Sequence, residues 1–154
     1  MTDDADPRAQ LQYQVRFAYG PAGERELAAA DVVVVADEIS APASELSAPA
    51  SELSDPASAP ASDLPGSEPE VPDVATIATA SAVAQRILAA QTQRGDRVSV
   101  AVIARGRADV SFAVEDLLAA GAVIDALAEI GIDHCSPEAA AAAAAYIGLR
   151  RATT

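Results

Sequence analysis

Asp31-Val32-Val33-Val34-Val35-Ala36-Asp37 decides the fold. Four consecutive valines leave no polar face, so this segment reads as a strand buried on both sides, the condition of a parallel sheet covered by helices. The acids at its two ends mark where the chain enters and leaves the interior. Upstream, the odd positions from Leu11 to Tyr19 are apolar (Leu11, Tyr13, Val15, Phe17, Tyr19) while Gln12, Gln14 and Arg16 lie between them. That period of two predicts a half-buried strand. Gly20-Pro21-Ala22-Gly23 interrupts it, and Glu24 to Ala30 is expected to form a short helix before the valines.

Residues 41–70 are different in kind. Ala-Pro-Ala-Ser-Glu-Leu-Ser occupies 41–47 and recurs unchanged at 48–54, with a decayed copy after it. Six prolines remove backbone donors and bias the residues before them against helix, and Leu46, Leu53 and Leu64 are almost the only large apolar side chains. The composition predicts a disordered Ala/Pro/Ser-rich linker. One leucine per seven residues supplies a single seam position where a coiled coil needs two, so the repeat does not argue for one.

Beyond Pro72 the helical period returns, with Ile77, Ala80, Ala84, Ile87, Leu88 and Gln91 at three- and four-residue spacing up to Gly95-Asp96. Val98 to Ala104 is the next expected strand. A helix over Phe112 to Ile130 would place Val114, Leu117, Leu118, Gly121, Ile124 and Ala128 on one face and close at Gly131. Ser136-Pro137-Glu138 signals another helix start, with a hydroxyl cap, proline in the first turn and an acid beside it. The order of elements predicts an α/β fold: a layered, mostly parallel sheet flanked by helices and interrupted by the linker. Residues 1–40 and 71–154 are then the two parts of one domain, with 41–70 between them.

The chain has 154 residues, ten arginines, no lysine and twenty-three acids, for a net charge of -13. Residues 1–40 carry eight acids and three arginines, 41–70 six acids and no base, and 71–154 nine acids and seven arginines. Without a basic stripe there is no electrostatic attraction to nucleic acid or anionic lipid, and both are excluded as main partners. The single cysteine, Cys135, has no internal partner, and the acidic start Asp3-Asp4-Ala5-Asp6 is the reverse of a signal peptide; a cytoplasmic protein is expected. The longest apolar stretches are too short to span a bilayer.

No glycine-rich phosphate loop, nucleophile elbow or zinc-type spacing is present. Carboxylates at particular places remain. Asp37 and Glu38 follow the valine strand, where ligands collect in open α/β sheets. They either hold a hard cation or simply end the strand and face water. Glu115 and Asp116 fall in the first turn of the helix after Val98–Ala104, near the same edge. Such a pair suits magnesium, which takes one or two carboxylates together with waters and phosphate oxygens; it equally complements a helix dipole. Arg105 and Arg107, on either side of Gly106, are placed to meet a phosphate or sulfonate, or to lie in a solvated loop. His134-Cys135 sits just before a helix cap and reads as part of a turn rather than as a base and nucleophile.

Taken together, several blocks resemble the 2-phosphosulfolactate phosphatase (ComB-like) family. They are Val15 to Gly23, Asp31 to Asp37, Thr79-Ala80-Ser81-Ala82-Val83-Ala84, Val100 to Gly106, Ala113 to Ile124, and Ser136-Pro137-Glu138-Ala139-Ala140. The resemblance covers about two-thirds of the chain and follows the family's order. It implies a magnesium-dependent phosphatase that converts 2-phosphosulfolactate to sulfolactate and phosphate, a step associated with coenzyme M synthesis. By position, it implies that Asp37, Glu115 and Asp116 organise the metal and the chemistry, with Arg105 and Arg107 on the substrate. The sequence departs from the family after Asp37, where Glu38-Ile39-Ser40 runs into the proline repeat, and it has no counterpart of the family's Ser-Pro-Asn-Gly segment. A non-catalytic relative that pairs with itself or with a full-length family member through sheet edges is the alternative expectation.

Overall fold

Val32–Ala36, the valine strand (β2), lies inside a four-stranded parallel sheet of order β1-β4-β2-β3. The computed structural model describes residues 6–38, 73–109 and 111–151, so the linker expected at 41–70 falls outside the described residues. Strands from both sides of the repeat share the one sheet. These are β1 (Val15–Tyr19) and β2 before it, and β3 (Asp73–Ala75) and β4 (Val100–Ala104) after it. The helices are α1 (Gly20–Glu26), α2 (Ala80–Arg94), α3 (Val114–Glu129) and α4 (Pro137–Leu149), preceded by a 3-10 turn at Pro7–Ala9. None of the described helices is long and apolar enough to cross a membrane.

β4 pairs on both sides, Val102 lying between Phe17 of β1 and Val34 of β2, and all five of its residues are buried. The main core lies on one face of the sheet, where Val15, Val34, Val100 and Val102 meet Val83 and Ile87 of α2, Val123, Ile124 and Leu127 of α3, and Ala139 and Ala142 of α4. On the other face, Ala18, Ala101 and Ile103 form a smaller cluster with Leu27, Ala30 and Val33. There α1 comes so close that a Cβ on Gly23 would stand 3.0 Å from that of Ala18. α1 and α3 therefore lie on opposite faces.

Several elements differ from the sequence expectation. Hydrogen-bonded β1 begins at Val15 rather than Leu11, which is exposed in a turn. α1 starts at Gly20 rather than Glu24: Gly20 takes φ +69° and Pro21 occupies the first turn, where its missing N–H costs nothing. The pair that ends the strand thus opens the helix. β2 is flanked by β4 and β3, yet Val33 and Val35 are only half-buried, because the smaller cluster covers their face less fully. α2 begins at Ala80, leaving Ile77 outside it, and ends at Gly95 in the left-handed region. α3 begins at Val114, whose side chain is exposed. The α4 cap is as expected, with Ser136 Oγ accepting the N–H of Ala139 at 3.1 Å.

Candidate functional site at the carboxyl edge of the sheet

The carboxyl ends of β1, β4 and β2 lie side by side, with Tyr19, Ala104 and Ala36 in register. After β1 the chain turns to α1 on one face; after its neighbour β4 it turns to α3 on the other. That divergence opens the crevice in which parallel α/β sheets bind ligands.

Asp37, one residue past β2, is only 2 % exposed. Its N–H donates to the Ala75 carbonyl at 3.0 Å, which continues the β2–β3 ladder, and its Oδ2 accepts from Arg105 Nη1 at 2.9 Å. Arg105 occupies the matching position past β4, with its N–H on the Ala36 carbonyl at 3.0 Å. Its side chain is 58 % exposed. The ion pair therefore runs from the buried sheet edge to solvent, with the carboxylate inside and the guanidinium outside.

Asp116, 1 % exposed, is used differently. Its Oδ1 accepts the backbone N–H of Glu38 at 2.8 Å, and its Oδ2 accepts that of Gly106 at 2.9 Å. One carboxylate at the start of α3 thus ties together the turns that leave β2 and β4. Glu38 turns away from Asp116 and accepts the Ile77 N–H at 2.8 Å. Glu115 has a buried Oε2 with no hydrogen-bond partner among the described residues. Among the described residues no group of three or more His, Cys, Asp or Glu side chains is gathered to hold a metal. Asp37, Glu115 and Asp116 thus do not form a three-carboxylate centre. The donor that fits a hard cation is Glu115, with an acceptor oxygen unmatched among the described residues.

Gly106, at φ +75°, lies against Tyr19, and a Cβ there would meet the hydroxyl oxygen at 3.1 Å and ring carbons at 3.2 and 3.4 Å. The Tyr19 hydroxyl accepts the N–H of Ala113, and its ring stacks on Phe112 at 5.2 Å between centroids. A cavity of about 200 Å³ opens beside this aromatic pair, lined by Tyr19, Gly20, Pro21, Arg25, Arg105 and Gly106.

Comparisons with protein-family models, with curated proteins and with solved structures find no match to this chain.

The structure brings Asp37, Arg105 and Asp116 to one edge, with Glu115 in the adjoining helical turn. Arg107 is not among the residues lining the cavity. Its N–H donates to the Ser111 carbonyl at 3.2 Å in a turn that Asp109 caps. There the Ser111 hydroxyl and N–H hold the Asp109 carboxyl below its usual range, with a smaller contribution from Arg107. His134 and Cys135 lie at the opposite edge, where the His134 carbonyl accepts the N–H groups of Gln14 and Val15. Burial, and then Asp133, push the Cys135 thiol up. The pair is not in the turn that the sequence suggests: Cys135 forms an isolated parallel bridge with Val15, so the segment extends the edge of β1. Sequence reasoning missed Arg25 and Tyr19 as cavity residues. Placing α1 at its true start would have found Arg25, because Pro21 then sets the turn that carries it.

Proposed function

We propose that the chain is a phosphoric monoester hydrolase that binds a small phosphorylated acid at the crevice between β1, β4 and β2 and removes its phosphate with magnesium. 2-Phosphosulfolactate, yielding sulfolactate and phosphate, is the substrate that the sequence resemblance supplies, and a cytoplasmic setting goes with it. The observation that carries this reading is the Asp37–Arg105 pair: a buried carboxylate holds a half-exposed guanidinium at the mouth of the crevice. Arg105 presents its fork to phosphoryl oxygens, which a guanidinium recognises better than an ammonium does. Asp37 is the positioning residue behind it. Asp116 keeps the two turns at a set separation, and Glu115 supplies the open carboxylate oxygen for the cation. Magnesium, when bound, neutralises charge on the transferred phosphoryl group, where catalysis is mostly positioning and electrostatics.

Release of inorganic phosphate from 2-phosphosulfolactate, with and without millimolar magnesium, tests this. Arg105→Gln is expected to lower kcat/KM about tenfold or more, as removal of a charge-assisted contact should. Wild-type protein that releases no phosphate above a magnesium-only blank overturns the reading.

A second reading is favoured by one observation: both Asp116 oxygens are already bonded to backbone N–H groups. A relative that keeps the scaffold without the reaction, and acts by pairing with itself or with a full-length relative, would need that carboxylate only as a clamp. The edge strand β3, where Val74 is 52 % exposed, is the surface it would use. Size-exclusion chromatography over a range of concentrations, and on mixing with a family member, tests this; a monomer under every condition rules it out.

A further inference from the structure

We infer that the amino edge of the sheet, at the far end of the strands from the crevice, carries a binding site for a small free oxyanion such as inorganic phosphate or sulfate, held by Arg16, Arg97 and His134. The site shares no residue with the crevice and is independent of the proposed hydrolase reading.

Arg16 of β1 is buried, at 5 % exposure, yet no carboxylate bonds its guanidinium. Its Nε donates to the Tyr13 carbonyl at 3.0 Å, its Nη1 to those of Ala28 and Ala29 at 3.3 and 3.0 Å, and its Nη2 to that of Leu11 at 3.3 Å. A guanidinium carries five N–H groups, so one on Nη2 is left without a partner among the described residues. Carbonyl dipoles solvate the cation but do not neutralise it, and a buried charge ordinarily has an opposite one beside it.

A cavity of about 260 Å³ adjoins Arg16 where the chain enters β1, β2 and β4, with Tyr13, Asp31, Arg97, Ser99 and His134 in its wall. Arg97 is exposed, and its guanidinium makes no hydrogen bond or ion pair with any described residue. The neighbouring Asp96 carboxylate accepts the backbone N–H of Arg97 at 2.7 Å. The His134 imidazole, tilted against the Tyr13 ring at 5.5 Å, has no hydrogen-bond partner among the described residues and offers an N–H in either protonation state. Asp31 is the acid in the wall, and its charge is already answered. Its Oδ2 accepts the N–H and hydroxyl of Ser99, and its Oδ1 accepts from Arg94 at 2.8 Å.

Two guanidiniums without counter-ions and an imidazole donor around one cavity match a compact anion with several acceptor oxygens. About 260 Å³ holds phosphate with its waters but falls short of a nucleotide. Bound there, the anion neutralises Arg16 and ties together the segments that enter the three strands.

Amide chemical shifts of the full chain, followed while inorganic phosphate is added, test this. Ser99 and His134 are expected to shift saturably, with a dissociation constant on the order of 1 mM, as two charge-assisted hydrogen bonds provide. Sodium chloride at equal ionic strength should not reproduce the shifts. Arg16 supports four loop carbonyls, so the exposed Arg97 is the residue to change. Arg97→Gln is expected to weaken binding about tenfold, and Arg105→Gln, at the other edge, to change it less than about twofold. Absence of saturable shifts at Ser99 and His134 overturns the inference, as does their appearance with chloride, which would make them an effect of screening. Undiminished affinity in Arg97→Gln, or loss of the shifts in Arg105→Gln, also overturns it. Adenosine monophosphate is expected to bind no more tightly than phosphate; tenfold tighter binding would show that the site is built for a nucleotide and not for a free anion.

Discussion

Asp116 receives the backbone N–H of Gly106 on Oδ2 at 2.9 Å, and this bond, with its twin from Glu38 to Oδ1, holds the ends of β4 and β2 to the start of α3. Because the carboxylate is 1 % exposed, water does not replace either bond when it is lost.

Asp116→Asn therefore tests the clamp directly. The amide keeps one acceptor and turns an NH2 group toward a backbone N–H, leaving a buried donor unmatched. A loss of about 1 to 3 kcal/mol is expected from urea unfolding. The loss should be the same with and without magnesium. A destabilisation seen only in the presence of magnesium would identify Asp116 as a metal ligand instead.

Gly121 of α3 faces α4 with no room for a side chain: a Cβ there would stand 2.8 Å from that of Tyr146 and overlap the Ala142 carbonyl oxygen. Gly121→Ala gains helix propensity but forces the two helices apart, and is expected to lower stability by about 2 kcal/mol or more. A melting temperature at or above that of wild type would show that α4 docks differently.

Gln10 seals the outer edge of β1. Its Nε2 donates to the Phe17 carbonyl at 2.9 Å, and its Oε1 accepts the Phe17 N–H at 3.1 Å, imitating a neighbouring strand. The His134 carbonyl and Ser136 N–H do the same at Val15. Gln10→Ala uncovers two backbone groups, so a loss of about 1 to 2 kcal/mol and faster aggregation by light scattering are expected. Unchanged aggregation would mean that the His134–Ser136 segment protects the edge alone.

Asp31 carries a pH dependence whose sign follows from its bonds. The backbone N–H of Ser99 at 2.8 Å, then its hydroxyl at 2.7 Å, then Arg94 hold its carboxyl below the usual range. With the folded value depressed, the contribution is complete above the unfolded value of about 3.9 and disappears as pH falls through the folded one. Urea midpoints of wild type and Asp31→Asn should therefore differ near neutral pH and converge in acid. A gap that widens on acidification would contradict the assignment.

Local signals in the chain were sufficient for much of the architecture. The valine run at 32–35, the alternation over 11–19, the glycine at 95 and the cap at Ser136-Pro137 each act through neighbours a few residues away, and each element formed at or near its expected place, the first strand only over 15–19. The start of α1 was misread because Gly20-Pro21 is the same local signal for a turn and for a helix beginning. β3 was not legible, since three residues are too few to show a period.

By itself, then, the sequence determined the α/β class, the parallel habit of the buried strand and the presence of acids at its end, because periodicity and capping are properties of adjacent residues. The tertiary structure alone decided that β4 enters between β1 and β2, that Asp37 meets Arg105 across 68 residues, and that Asp116 meets Glu38 across 78. An acid in a first helical turn has the same sequence whether it faces a metal, a dipole or two N–H groups. The choice among them is made by packing, through where α3 docks on the sheet and which backbone donors that docking leaves buried beside it.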